Sequence, residues 1–320
     1  MLAAGETLSR SAANDIQTDH RGMDDTVAPV LLPEPTVSTW QFGLELSTPV
    51  PCTDIVATFV VPRDYPEQKV RIVDRQLDRP LSVEVRNLPQ DTARQIVVTA
   101  NRIPGGAKLS ATVTMEITKH NIGPPVSTNE LRIAPKIDRD LKMFTGNSPH
   151  INASHGSIRR AGRELTDQLD SQIELNDWGR VEAIYDFVRE KVRYVEGPIR
   201  NASDALRDGK GDCEDMTSLF VAMCRNASVP ARMVWIPGHC YPEFYLIDDK
   251  DRGHWYPCQV AGTRAFGEMP ESRPILQKGD KFKIPESTAP VRYLAEHFRC
   301  DKRGRGNPRP KFVLKQIQQS

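Results

Sequence analysis

The sequence has almost no net charge: 43 basic residues stand against 42 acidic ones, a formal balance of +1. Without a dominant sign there is no broad electrostatic pull toward nucleic acid or an anionic membrane surface, so neither is expected as a partner. Long apolar runs are missing too, and none approaches the ~18 to 20 residues needed to span a bilayer. Residues 1 to 19 have no signal-peptide apolar core, because Glu6, Arg10, Asn14 and Asp15 interrupt them. The expectation is a soluble chain with no export address, cytoplasmic by default. Cysteine is sparse. Cys52, Cys213, Cys224, Cys240, Cys258 and Cys300 form no C-x-x-C pair and no zinc-finger spacing. No metal and no cofactor is expected, and at 320 residues a disulfide scaffold is not needed to build a core.

What is present changes character along the chain. Residues 1–35 are polar, end in Leu32-Pro33-Glu34-Pro35 and read as a disordered leader. Over 36–122 the period is two: Leu81, Val83 and Val85 alternate with Ser82, Glu84 and Arg86, and Val113, Met115 and Ile117 alternate with Thr112, Thr114 and Glu116. Short strands separated by prolines predict an antiparallel β-sandwich, a support or recognition unit without chemistry of its own. Residues 123–150 read as a linker. Residues 151–290 open with helical spacing, first through Ile158, Ala161, Leu165, Leu169 and Ile173, then through Val181, Ile184, Tyr185, Val188 and Val192 from a start near Asn176 or Asp177. Residues 291–320 are basic and read as a solvated C-terminal extension, in which Phe312, Val313 and Leu314 could dock as a short strand.

The most informative stretch runs from Gly211 to Arg232. Asp212 is a good N-cap, and Asp215 three residues on completes an approximate capping box. Met216, Leu219, Phe220, Met223 and Cys224 recur at helical spacing, and Pro230 ends the element before a strand from Ala231 to Ile236. Cys213 therefore sits in the first turn of a buried helix, where unpaired N–H groups and the helix dipole favour a thiolate. Downstream, two strand-like runs flank the loop Asp248-Asp249-Lys250-Asp251-Arg252-Gly253. A hairpin centred on Asp249 pairs His239 with Gln259 on one face and Cys240 with Cys258 on the other, with Pro242 and Pro257 able to introduce a bulge. A base opposite an amide, near a cysteine on a helix tip, is an arrangement for thiol nucleophilic catalysis.

Gly211-Asp212-Cys213-Glu214-Asp215, then Leu219 to Met223 and Val229-Pro230-Ala231-Arg232, followed by His239, Glu243 and Trp255-Tyr256-Pro257, resemble the transglutaminase-like superfamily of papain-fold cysteine enzymes. The resemblance covers roughly residues 176 to 270. It implies an α+β fold, an N-terminal antiparallel β-sandwich followed by a core in which the cysteine helix packs on an antiparallel sheet. It also implies Cys213 as nucleophile and His239 as base, and acyl transfer on amide bonds of a peptide or protein substrate. Hydrolysis by a peptidase or amidase is the leading expectation. The alternatives are amine-accepting cross-linking and a binding module that keeps the fold without turnover.

The third catalytic position departs from the family pattern. Where members carry an aspartate, this chain has Gln259, which can accept from the imidazole but brings no full charge. Glu243 and Asp248 are alternative carboxylates, Glu243 reading more as structural. Asp212 and Trp255 are supporting residues, and Tyr194 is a core aromatic or an oxyanion donor. Cys240 and Cys258 admit three readings, in order: free buried thiols, a disulfide that would argue for an extracytoplasmic home, or zinc ligands with Cys213 and His239.

Overall fold

The computed structural model describes residues 26–170 and 175–318. Its first half is built by strands whose alternate residues are apolar. In chain order these are β1 (Val30–Leu31), β2 (Thr36–Thr48), β3 (Cys52–Val61), β4 (Gln68–Leu77), β5 (Ser82–Asn87), β6 (Arg94–Ile103), β7 (Ala107–Lys119) and β8 (Ile122–Gly123). Trp40, Phe42, Leu44 and Leu46 of β2 all turn inward, as do Ile55, Ala57 and Phe59 of β3 and Val113, Met115 and Ile117 of β7. They form one apolar core between two antiparallel sheets, the sandwich that the period-two pattern predicts. β5 is a sheet edge, so its Val83 and Val85 stay exposed despite the alternation.

The second half runs through α1 (Gly156–Asp170), α2 (Asp177–Lys191), β9 (Arg193–Tyr194), α3 (Ala202–Asp208), β10 (Lys210–Gly211) and α4 (Cys213–Asn226). Then follow β11 (Ala231–Ile236), β12 (His239–Ile247), β13 (Gly253–Gln259), β14 (Ala265–Phe266) and β15 (Gln277–Lys278). These last five form one antiparallel sheet in the order β14-β13-β12-β11-β15. The buried face of α4 lies on that sheet, with Leu219, Phe220, Val221 and Met223 meeting Met233, Phe244 and Tyr256 in a common core. Trp178 of α2 anchors it, making edge contacts with Phe244, Tyr256 and Phe266 at centroid distances of 5.5, 5.0 and 5.0 Å. The fold is α+β. Ile173, assigned by spacing to the first helix, lies outside the described residues, as do residues 1–25 of the expected leader.

Two sequence expectations are overturned. Residues 26–35 are not part of a leader: β1 pairs with β8, Val27 is buried, and the Val27 carbonyl accepts the Tyr256 hydroxyl at 2.6 Å. Nor is 291–320 a solvated extension. The chain returns to the sandwich as β16 (His297–Lys302) against β3 and β17 (Arg309–Ile317) against β2, one added to each sheet. The basic residues mask this role, because an edge strand keeps one face in water and its charges tell of that face only. The expected short strand at Phe312-Val313-Leu314 is the middle of a nine-residue strand.

Between the two halves lies a buried ion network. Lys278 Nζ is 2.6 Å from Glu67 and 2.7 Å from Glu243, and Glu243 also holds Arg232. Each charge has an opposite partner, as burial requires. Residues 276–294 cross back here: Leu276, Phe282 and Leu294 pack into the sandwich core, while Trp235 of β11 meets Tyr293 at a tilted angle, ring centroids 4.9 Å apart.

Candidate active site

The tip of α4 is shaped locally. The Asp212 carboxylate accepts from the N–H groups of Glu214 and Asp215 at 2.9 and 3.0 Å, and Asp215 reaches back to the Asp212 N–H, closing the predicted capping box. Asp215 is itself buried and clamped by Arg200 through its backbone N–H at 2.9 Å and its guanidinium at 2.8 Å. Gly211 is required by this packing, since a Cβ there would come within 2.5 Å of the Asp215 Cβ. The result is a half-buried Cys213 at the first helical position, ahead of the N–H groups that the cap consumes.

His239 opens β12 directly after the tight turn Pro237-Gly238, where Gly238 has φ +70°. Its side chain neighbours Cys213 on one side, and each group shifts the other's titration. On the other, Nε2–H donates to Gln259 Oε1 at 3.0 Å, which leaves Nδ1 as the nitrogen for the thiol. Gln259 is held in turn by α2: its carbonyl accepts the Tyr185 hydroxyl at 2.8 Å and Arg189 at 3.1 Å. Arg189 also ties down the carbonyls of Val260 and Gly262.

Electrostatics follow from these contacts. The Cys213 thiol is lowered to about 5, first by a hydrogen bond from the Cys240 thiol and then by the hydrogen bond and charge of His239, against the opposing effects of burial and Asp212. Burial pushes His239 down, yet the hydrogen bonds to Cys213 and Gln259 and the thiolate charge together carry it above its ordinary value. Both shifts move the pair toward thiolate and imidazolium. The opposite holds for Cys224 and Cys258, whose complete burial raises them well above an ordinary thiol.

Residues 163–260 match the profile of the transglutaminase-like superfamily. The match covers the stretch from α1 to the end of β13, and it is a similarity to the core of that superfamily. Its solved relatives in fold include a candidate cysteine protease from Cytophaga hutchinsonii, 16% identical, with a TM-score of 0.57 over 90% of this chain and 92% of that one. At that identity the likeness is one of fold. A candidate protease from Parabacteroides distasonis aligns over 74% of this chain and 48% of its own at 13% identity, with a TM-score of 0.28 that carries no argument. No curated protein matches the sequence.

Within the matched stretch, Cys213, His239 and Gln259 come together, but not by the expected register. The ladder pairs Glu243 with Pro257 and Ile247 with Gly253, so the hairpin is centred on Lys250 rather than Asp249. The cause is the loop: the Asp248 carboxylate accepts from the N–H groups of Lys250 and Arg252, and Asp251 adopts φ +60°, closing the five-residue connection 248–252. Cys240 and Cys258 are consequently not opposed. All six thiols are free, and the described residues hold no group of three or more His, Cys, Asp or Glu side chains placed to bind a metal ion, which leaves the zinc reading without a ligand set.

Tyr194 is not a core aromatic. It is 52% exposed, pairs in parallel with Gly211 and feels the charges of Cys213 and Asp212, which places it at the rim of the thiol. Glu243 belongs to the buried ion network, and Asp248 to the loop, so neither replaces the missing aspartate. Trp255 lies under the Arg232 guanidinium at 3.8 Å and against Phe144, away from the thiol. Sequence reasoning read Cys240 as a free buried thiol, a disulfide partner of Cys258 or a zinc ligand, without its place behind Cys213, and it missed Arg273. Arg273 forms a two-pronged pair with Glu271, at 3.0 and 2.6 Å, and donates to the Pro237 carbonyl at 2.9 Å, bracing the turn that presents His239. No local signal marks it, because it lies 34 residues beyond His239 in a segment without periodicity.

Proposed function

We propose that the chain is a cysteine-dependent acyl-transfer enzyme that cleaves amide bonds of peptide or protein substrates through a thioester on Cys213. The observation that carries this reading is the line of contacts from the α4 tip, Cys213 to His239 to Gln259, with the thiol acidified to about 5. The Cys213 thiolate attacks the amide carbonyl carbon, and the developing oxyanion falls near the first N–H of α4 and the Tyr194 hydroxyl. His239 gives its proton to the leaving amine as the C–N bond breaks, then takes one from the water that hydrolyses the thioester. Gln259 keeps the imidazole oriented through Nε2, the task an aspartate performs with a full charge. The candidate cysteine protease of similar fold agrees with hydrolysis.

The test is a library of quenched fluorescent peptides with and without a primary amine acceptor, run beside iodoacetamide labelling across pH. Cleavage lost in Cys213→Ala, with Cys213 labelling complete well below pH ~8.5, supports the reading. Labelling that rises only near that pH and ignores His239→Ala refutes it, and product carrying the amine in place of water moves the assignment to cross-linking.

A further inference from the structure

Six thiols serve this chain, and four of them form two close pairs. Cys240, on β12 beside His239, packs against the first turns of α4, its sulfur 3.9 Å from Thr217 Oγ1, and Thr217 stands one helical turn after Cys213 on the same face. Cys300 lies in the bulge of β16 between Arg299 and Asp301, near Cys52 of β3, which pairs with Lys302. The pairs differ in what surrounds them. Cys213 is half-buried at the site, reachable by a small solute, whereas Cys240 is 2% exposed and packed behind it with Thr217 Oγ1 3.9 Å away. A reagent entering the site meets Cys213 first, and the first sulfur behind Cys213 is Cys240.

We propose that Cys213 and Cys240 are a modification site at which a hydroperoxide converts the two thiols into a reversible disulfide. The inference rests on the thiolate reading of Cys213 given above. In the first step the Cys213 sulfur attacks the peroxide: an S–O bond forms, the O–O bond breaks, and the departing hydroxide or alkoxide takes a proton from the His239 imidazolium. The sulfur is oxidised by two electrons to a sulfenic acid and the peroxide is reduced. In the second step the Cys240 sulfur attacks that of Cys213, the S–O bond breaks, and the hydroxide leaves as water with the Cys240 proton. Two equivalents of an external thiol return both residues by exchange. While the disulfide stands, the nucleophile is blocked and shielded from irreversible oxidation.

Cys52 and Cys300 provide an internal comparison. They too are neighbours, but Cys300 is raised to about 11, first by burial, against about 5 for Cys213. At pH 7 that gives Cys213 roughly a 10⁴-fold advantage in thiolate fraction, most of it offset by the lower nucleophilicity of an acidic thiol, so Cys213 should oxidise about tenfold faster.

The experiment treats the full-length protein at pH 7 with hydrogen peroxide, with and without dimedone, alkylates the remaining thiols and maps tryptic peptides without reductant. The expected product links the peptide Gly211–Arg225 to the peptide Met233–Lys250, two hydrogens lighter than the two peptides together, with fragmentation assigning the bond to Cys213 rather than Cys224. Dithiothreitol restores iodoacetamide labelling of Cys213, and Cys213 is consumed about tenfold faster than Cys300. In Cys240→Ser, dimedone traps the sulfenic acid, and without it Cys213 proceeds to a sulfinic acid that dithiothreitol does not recover. Dimedone-labelled or sulfinic Cys213 in the wild type, with no linked peptide, overturns the disulfide while leaving the nucleophile intact. Cys213 that oxidises no faster than Cys300 overturns both readings.

Discussion

His239 Nε2 donates to Gln259 Oε1 at 3.0 Å although the two residues are not opposite on the sheet. Extending the β12–β13 register from Glu243 and Pro257 places Tyr241 opposite Gln259, with His239 one step along the diagonal on the same face. Diagonal neighbours lie roughly 7–8 Å apart at Cα, within reach of two long side chains. An amide thus occupies the place where a family pattern calls for an acid, and the half-buried imidazole is still raised.

Removing that amide should cost activity without unfolding the protein. Gln259→Ala is expected to lower kcat/KM by roughly 10 to 150-fold, the worth of about 1.5–3 kcal/mol for a hydrogen bond to a charged group. Gln259→Glu places a carboxylate on Nε2, favours the imidazolium and should carry the alkaline limb of the kcat/KM profile upward. An unchanged rate in Gln259→Ala, by the peptide assay, removes Gln259 from the site.

The ion pair should leave a mark on stability. The folded pKa of Cys213 lies below its unfolded value, so its contribution is present above the unfolded pKa and lost as pH falls through about 5. His239 is raised, so its contribution is complete below about 6.5 and lost as pH rises through the folded value. Between pH ~5 and ~6.5 the unfolded pair holds two protons and the native pair one, so stability rises with pH. Above ~6.5 each state holds one, and the curve is flat until His239 titrates. Urea unfolding across pH should show this rise in the wild type relative to Cys213→Ala/His239→Ala. Parallel curves for the two proteins contradict the pairing.

Arg273 should act on the charge of His239 as well as on its position. Its cation opposes the imidazolium, so Arg273→Gln is expected to move the alkaline limb of the rate upward while kcat falls through loss of the Pro237 contact. Arg273→Lys keeps the charge and should hold the limb in place. A kcat decrease with no movement of the limb assigns Arg273 to the turn alone.

At the far end of α4, Arg225 is buried with Asp280, Nη2 lying 2.9 and 2.8 Å from the two carboxylate oxygens, and it also donates to the Ala231 and Gly146 carbonyls. Asp280→Ala strands a buried guanidinium and should destabilise the fold by about 3–5 kcal/mol in urea unfolding. Because Cys213 is at the opposite end of the helix, iodoacetamide labelling of the folded fraction should keep its pH dependence. A loss under 1 kcal/mol, converted from the midpoint shift, would mean water replaces the carboxylate.

What the sequence determined by itself is local. The capping box, the helix period and the stop at Pro230 act within a few residues of one another, and they place Cys213 on its helix tip whatever else the chain does. The identities of His239 and Gln259 were legible as well, since both are polar residues at the ends of strand-like runs. Their register was not, because it is decided by how the Asp248 carboxylate closes the loop, one residue away from the symmetric choice. Tertiary structure alone decided the rest. Cys240 behind Cys213, Arg273 on the Pro237 turn, Tyr185 and Arg189 on the Gln259 carbonyl, and β16 and β17 on the sandwich edges all join residues distant in sequence. Such contacts form only when the core has brought the surfaces together, and no periodicity along the chain encodes them.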